Sequence, residues 1–197
     1  LVQLAAMATW EFDGWVALSD RHVELTRASG ALAELSIALN ARGMVATQCG
    51  ELATSTSLAA EKDVVNEVTG IRLATTCDLL LAGYRGRPAE AVPLFTATTE
   101  DSTARGEGLA VQMANWAAAV LRNGLGRYAE ALAVAEPATV ETYSPLSTQL
   151  VLPELIEAAA RTGRADLARE ALGQLSAMIT VEGSDWAKGL EARSRAL

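Results

Sequence analysis

The chain has 197 residues, 39 of them Ala; half are apolar, 5% are aromatic and only five are Pro, which excludes a disordered chain and leaves no room for several large domains. Sixteen Lys and Arg stand against 24 Asp and Glu, a formal net charge of -8, so the cations that hold nucleic-acid phosphates are too few for a DNA-gripping surface. No window holds about 18 uninterrupted apolar residues, which excludes a helical membrane span.

Abundant Ala with few branched or aromatic residues favours helix over sheet. In chain order the pattern predicts helices near 15–28, 31–48, 51–67, 71–84, 88–104, 107–123, 128–138, 147–162, 165–179 and 185–196. The separators are Gly30, Gly50, Gly70, a Gly83-to-Gly86 turn, Gly106, Gly124 to Gly126, a Thr142-to-Pro145 break, Gly163 and Gly183. Asp101 and Asp185 fall near boundaries without the context of a dependable cap.

Four of the turns repeat one another. Gly50, Gly86, Gly126 and Gly163 are 36, 40 and 37 residues apart, and each opens an Ala-containing helix start. Ala91, Ala131 and Ala168 lie five positions after the last three, and Phe95, Ala135 and Leu172 four further on; Ser55 and Ala59 hold those places in the weaker first copy. A Gly ending one helix, a small residue that lets two helices approach, and a larger one a turn later describe a helix hairpin. Gly126, Tyr128 and Ala131, with Ala119 on the preceding helix, resemble the turn of the tetratricopeptide repeat. The expected fold is all-α, with antiparallel TPR-like hairpins stacked as a right-handed α-solenoid over a single domain spanning 1–197. The start at Leu1 and the end at Leu197 read as the limits of a piece of a longer chain.

Residues with catalytic chemistry are sparse. His22 is the sole histidine and reads as a surface or interhelical residue; Cys49 and Cys77 lack ligand spacing and read as small buried thiols. No GxxxxGK[ST] loop is present, and Arg105-Gly106-Glu107-Gly108 reads as a helix–helix connection rather than a phosphate cradle. Glu154, Glu157 and Arg161 share a helix face at spacings of three and four, expected to be a solvated, self-paired face rather than an acid/base pair. The expectation is therefore a non-enzyme without metal or cofactor in this segment. Registering the first helix of each hairpin by its turn Gly places Thr76 and Tyr84, then Met113, Trp116 and Asn123, then Glu157 and Arg161 along a groove for a small polar ligand or a peptide. For Trp116 alone, a core position between helices competes with the groove.

The segment from Arg105 carries a further pattern: Arg105-Gly106-Glu107-Gly108, Asn115-Trp116-Ala117, then Asn123-Gly124-Leu125-Gly126-Arg127-Tyr128-Ala129-Glu130-Ala131. Pro153-Glu154-Leu155-Ile156-Glu157-Ala158-Ala159, Arg161-Thr162-Gly163-Arg164, Ser184-Asp185-Trp186-Ala187-Lys188-Gly189 and Glu191 to Leu197 follow. In order and spacing these resemble the helical repeat region of the large ATP-binding LuxR-type transcriptional regulators, the MalT-like group; Trp15, Arg21 and Gly30-Ala31-Leu32 fit more loosely. Reduced cysteines and no signal-like charged start with an apolar run point to the cytoplasm, and the resemblance implies an effector-sensing middle segment. ATP would belong to a separate N-terminal domain and DNA binding to a C-terminal helix-turn-helix, with the parent's other domains, or self-association, as further partners. A scaffold that binds only a peptide or protein is the alternative.

Overall fold

The computed structural model describes residues 11–70, 76–140, 145–179 and 184–197. Among them are ten helices and no strand: α1 (Phe12–Ser29), α2 (Leu32–Gln48), α3 (Leu52–Thr69), α4 (Thr76–Arg85), α5 (Pro88–Arg105), α6 (Gly108–Gly124), α7 (Tyr128–Val140), α8 (Pro145–Arg161), α9 (Ala165–Met178) and α10 (Asp185–Arg195). The chain is all-α. No helix among the described residues is long and apolar enough to cross a membrane.

Glycine sets the breaks. Gly30, Gly50, Gly70, Gly86, Gly106, Gly126 and Gly163 all have φ between 67° and 77°. Gly126 shows why: its N–H bonds the Asn123 carbonyl at 2.9 Å and the Arg127 N–H bonds the Arg122 carbonyl at 2.8 Å, closing α6 through a left-handed residue that a side chain would oppose. The Arg105-Gly106-Glu107 stretch is such a break, with the Arg105 guanidinium clamped on Glu107 Oε1 at 2.8 Å. Gly183, residues 71–75 of the expected 71–84 helix, and all of the Thr142-to-Pro145 break except Pro145, the first residue of α8, lie outside the described residues.

Gly83 differs from the expectation. It belongs to α4 rather than to a turn, and a Cβ on it would lie 2.8 Å from the Ala117 carbonyl oxygen of α6. Glycine is required there by the close approach of two helices. Around that crossing α6 buries Ala114, Ala117, Ala118 and Ala119, so short side chains allow the backbones to come together.

The helices contact one another in an alternating pattern. Helices α2, α4, α6, α8 and α10 each meet the next of that series, while α3, α5, α7 and α9 each meet the two even-numbered helices flanking them; α1 packs on α2. One large apolar cluster runs from Trp15 through Leu79, Trp116 and Leu152 to Ala187. A smaller cluster of Val23, Leu35, Ala38, Leu39 and Val65 joins α1, α2 and α3. Three of the four position pairs aligned on the turn glycines are buried: Ser55 and Ala59, Ala91 and Phe95, Ala131 and Ala135, of which only Phe95 is a large residue. In the last copy Ala168 and Leu172 are only partly buried, and Ala171 and Leu175 take the core instead. Ser55, where the other copies have Ala, donates to the Gly43 carbonyl at 3.0 Å, so its burial leaves no orphan hydroxyl.

Two polar details were not foreseen. Lys62 of α3 is 0% exposed, with Nζ 3.0 Å from Asp63 Oδ1 and bonded to the Asp78 carboxylate of α4. Burial alone would lower its pKa, but Cys77, Asp78 and Asp63 together outweigh that and raise it. The cysteines are both free; Cys77 is buried as expected, whereas Cys49 is exposed because it terminates α2 instead of packing within it. His22 bridges helices, its Nε2 lying 2.8 Å from Glu34 Oε1.

Candidate functional site

A cleft of about 160 Å³ is lined by Gln48, Tyr84, Trp116, Leu150, Pro153, Glu154, Trp186, Leu190 and Arg193. Gln48 belongs to α2, Tyr84 to α4, Trp116 to α6, the next three to α8 and the last three to α10. Among the described residues every even-numbered helix therefore contributes, and no odd-numbered one does. The alternating contacts produce this directly, because helices two apart in sequence are spatial neighbours.

The aromatic residues concentrate here despite their scarcity. Trp116 is 3% exposed and belongs mainly to the core, with a small part of its surface in the cleft. Trp186 stacks on Phe12 from the start of α1, with ring centroids 4.7 Å apart and planes at 20°; Phe12 also meets Trp15 edge-on at 6.0 Å. The first turn of α1 thus touches α10 through this ring stack beside the cleft. Such ring pairs contribute roughly 0.5–1.5 kcal/mol beyond the area that they bury.

The polar groups are few and ordered. The Tyr84 hydroxyl donates to Gln48 Oε1 at 2.7 Å. Although 40% of Tyr84 is exposed, burial of its phenol and the adjacent Glu154 push its pKa up to about 12 against the opposing effect of Arg193. Asn123 Nδ2 donates to Glu154 Oε2 at 2.8 Å and to the Glu154 backbone carbonyl at 3.0 Å. Asn123 Oδ1 is buried without a hydrogen bond. Glu154 itself has a raised pKa: burial and Glu157 oppose its ionisation more than Asn123 and Arg193 favour it. The Arg193 guanidinium is bonded to Glu157 Oε2.

The residues expected along a groove separate into three groups. Tyr84 and Trp116 line the cleft. Asn123 and Glu157 stand behind it, holding Glu154 and Arg193 respectively. Thr76, Met113 and Arg161 are elsewhere: Thr76 is buried at the start of α4, Met113 belongs to the apolar cluster, and the Arg161 guanidinium lies 5.7 Å from the centroid of the Tyr128 ring. The expected self-paired face of Glu154, Glu157 and Arg161 is not what the structure has. Packing of α10 on α8 covers part of that face, so Glu157 pairs 36 residues away with Arg193 and Glu154 is partly buried. Gln48, Leu150, Pro153, Trp186, Leu190 and Arg193 were not anticipated. Carrying the alternation of inner and outer helices one step beyond the helix after Gly163 would have marked α10 as another inner helix and pointed to the last three.

No family model, curated protein or solved structure matches the chain.

Chemically the cleft is suited to recognition. Glu157 is tied to Arg193, and the Tyr84 phenol stays protonated at neutral pH. Among the described residues Glu154 is the carboxylate lining the cleft without a cation bonded to it, and no cysteine, serine or histidine among them lines the space. Among the described residues no group of three or more His, Cys, Asp or Glu is placed to hold a metal ion. A volume of about 160 Å³ is below the roughly 300–1,000 Å³ of pockets that enclose drug-sized molecules, so a ligand of a few heavy atoms or a single side chain fits better than a nucleotide.

Proposed function

We propose that this chain is the effector-sensing, regulatory repeat region of a large ATP-binding LuxR-type transcriptional regulator of the MalT-like kind, built from TPR-like hairpins in a right-handed solenoid. ATP binding and DNA binding are assigned to other domains of that parent, in the cytoplasm, and no catalytic role is assigned to this segment. The family assignment is supported by the Asn123-to-Ala131 run and the blocks that follow it. The repeat architecture is supported by the alternating helix contacts.

One observation supports the sensing role above all: a single small cleft draws side chains from α2, α4, α6, α8 and α10. A ligand there touches helices separated by up to 145 positions, from Gln48 to Arg193, so its binding free energy depends on how the whole series is arranged. A ligand shifts a conformational equilibrium only by its differential affinity for the two states, and a site shared among five helices supplies that differential.

The test is a thermal-shift screen of the chain against sugars, nucleotides and small metabolites, with each hit repeated on Trp186→Ala. A ligand that binds only the folded state raises the melting temperature with concentration. A dose-dependent rise lost in the variant supports the sensing role, and a flat screen on a folded chain contradicts it. A protein-binding scaffold is the second reading, favoured by Leu25, Leu32, Ile37, Val64 and Val68, all exposed on α1, α2 and α3. Under that reading the screen is flat and these five positions, not the cleft, govern association.

A further inference from the structure

We propose that the cleft between α4, α6, α8 and α10 takes a small organic cation, an alkyl- or methylammonium group, with Glu154 as its counter-ion and Tyr84, Trp116 and Trp186 as its walls. This rests on the cleft being a ligand site, as proposed above, and names the class of ligand.

Two carboxylates, Glu154 and Glu157 of α8, face one guanidinium, Arg193 of α10. Arg193 is bonded to Glu157; among the described residues no cation lies within ion-pair distance of Glu154, whose carboxylate accepts from the neutral Asn123 amide of α6. The groups contributed by α2 and α4, Gln48 and the protonated Tyr84, are uncharged. The site is therefore one positive charge short, and its carboxylate is kept from water on the side that Asn123 and the cleft walls occupy. A bound cation would supply the missing charge; an anion would meet two carboxylates.

The walls agree with that sign. Ring faces carry negative potential and attract ammonium groups, most strongly where water is excluded; Tyr84 is 40% exposed, Trp186 has one face already stacked on Phe12, and Trp116 reaches the cleft with only a small part of its surface. Leu150, Pro153 and Leu190 complete the lining with apolar surface suited to methyl or methylene groups. The volume limits the ligand to a short chain.

The test uses the 197-residue chain and three probes of one shape: n-butylammonium, 1-butanol and butyrate, each at constant ionic strength. Binding is read from tryptophan fluorescence, since Trp116 and Trp186 line the cleft, and from the melting temperature. n-Butylammonium is expected to bind about tenfold or more tightly than 1-butanol, the discrimination of a charge-assisted hydrogen bond. Glu154→Gln is expected to abolish that preference while Glu100→Gln, on the surface of α5, keeps it. The amide retains the Asn123 contact and removes a desolvated charge, so the variant is expected to fold. Binding should also weaken on acidification from a pH above the usual carboxylate range, because Glu154 protonates early. Equal binding of 1-butanol, or tighter binding of butyrate lost in Arg193→Gln, overturns the cation class and leaves the cleft as a ligand site. No response to any probe overturns both.

Discussion

Replacing Gly83 with Ala adds one methyl group at the point where α4 and α6 come closest. Its Cβ would lie 2.8 Å from the Ala117 carbonyl oxygen, 3.6 Å from the carbonyl carbon and 3.7 Å from Cα, all backbone atoms that no side-chain rotation can move away. Overpacking of this kind costs about 1–3 kcal/mol. Ala is the better helix former by roughly 1 kcal/mol, so the net expected loss is about 0–2 kcal/mol, against a gain where no clash opposes the propensity. The sign is sharpened by Gly173 in α9, where an added Cβ meets nothing within 4 Å. There only the propensity term acts, and Gly173→Ala should stabilise by about 0.5–1 kcal/mol. Urea unfolding followed by circular dichroism measures both through the shift of the midpoint. The neighbours of the crossing, Tyr84 and Trp116, line the cleft, so Gly83→Ala should also weaken any cleft ligand. If both substitutions stabilise the chain equally, the close approach of α4 and α6 is refuted.

Other consequences are as specific. Asp78→Asn removes one of the two carboxylates that Lys62 meets, leaving Asp63 at 3.0 Å, and should cost about 1.5–3 kcal/mol, measured by the same unfolding midpoint. Because the folded pKa of Lys62 is raised, the stabilisation from this pair is complete below the unfolded value and is lost as pH rises through the folded one; the wild-type advantage over Asp78→Asn should therefore shrink only in strong alkali. A thiol reagent at pH 8 should modify one cysteine per native chain and two in urea: Cys49 is exposed, while burial first and Asp78 second push Cys77 up to about 12. Ser184→Ala removes the cap bond that its hydroxyl oxygen accepts from the Ala187 N–H, 3.3 Å in length, and should destabilise by roughly 0.5–2 kcal/mol in a thermal melt. In the ligand-free chain Glu154→Gln should be neutral or stabilising, since the raised pKa marks a carboxylate whose charge the folded state disfavours; a large loss of stability would contradict this.

The helices were legible because their stops are local. A glycine in the left-handed conformation needs no tertiary information, and Gly30, Gly50, Gly70, Gly86, Gly106, Gly126 and Gly163 each mark a break in the chain and in the structure. Gly83 was misassigned for the same reason: in Gly83-Tyr84-Arg85-Gly86 the turn glycine and the crossing glycine look identical until α6 is in place. Tyr84 and Trp116 emerged from registering each helix on its following turn, which sets the rotation of the inner face. That register fails for Met113 and Arg161 because one helix turn spans only about 3.6 residues, so a small rotation exchanges core for cleft. The charges were the least legible. Glu157 sits four residues before Arg161 yet pairs with Arg193, and Lys62 is buried on α3 amid polar neighbours that look solvated. Such pairings are settled by which helices meet, and local spacing carries no record of it.

The most direct measurement is hydrogen exchange of the whole chain with and without the metabolite that most raises its melting temperature. Ligand in the cleft should slow exchange together around Gln48, Tyr84, Trp116, Glu154 and Leu190, on all five even-numbered helices, and leave the odd-numbered helices far less changed. Protection confined to one adjacent helix pair, or centred on the exposed residues of α1 to α3, would contradict a sensor built around this cleft.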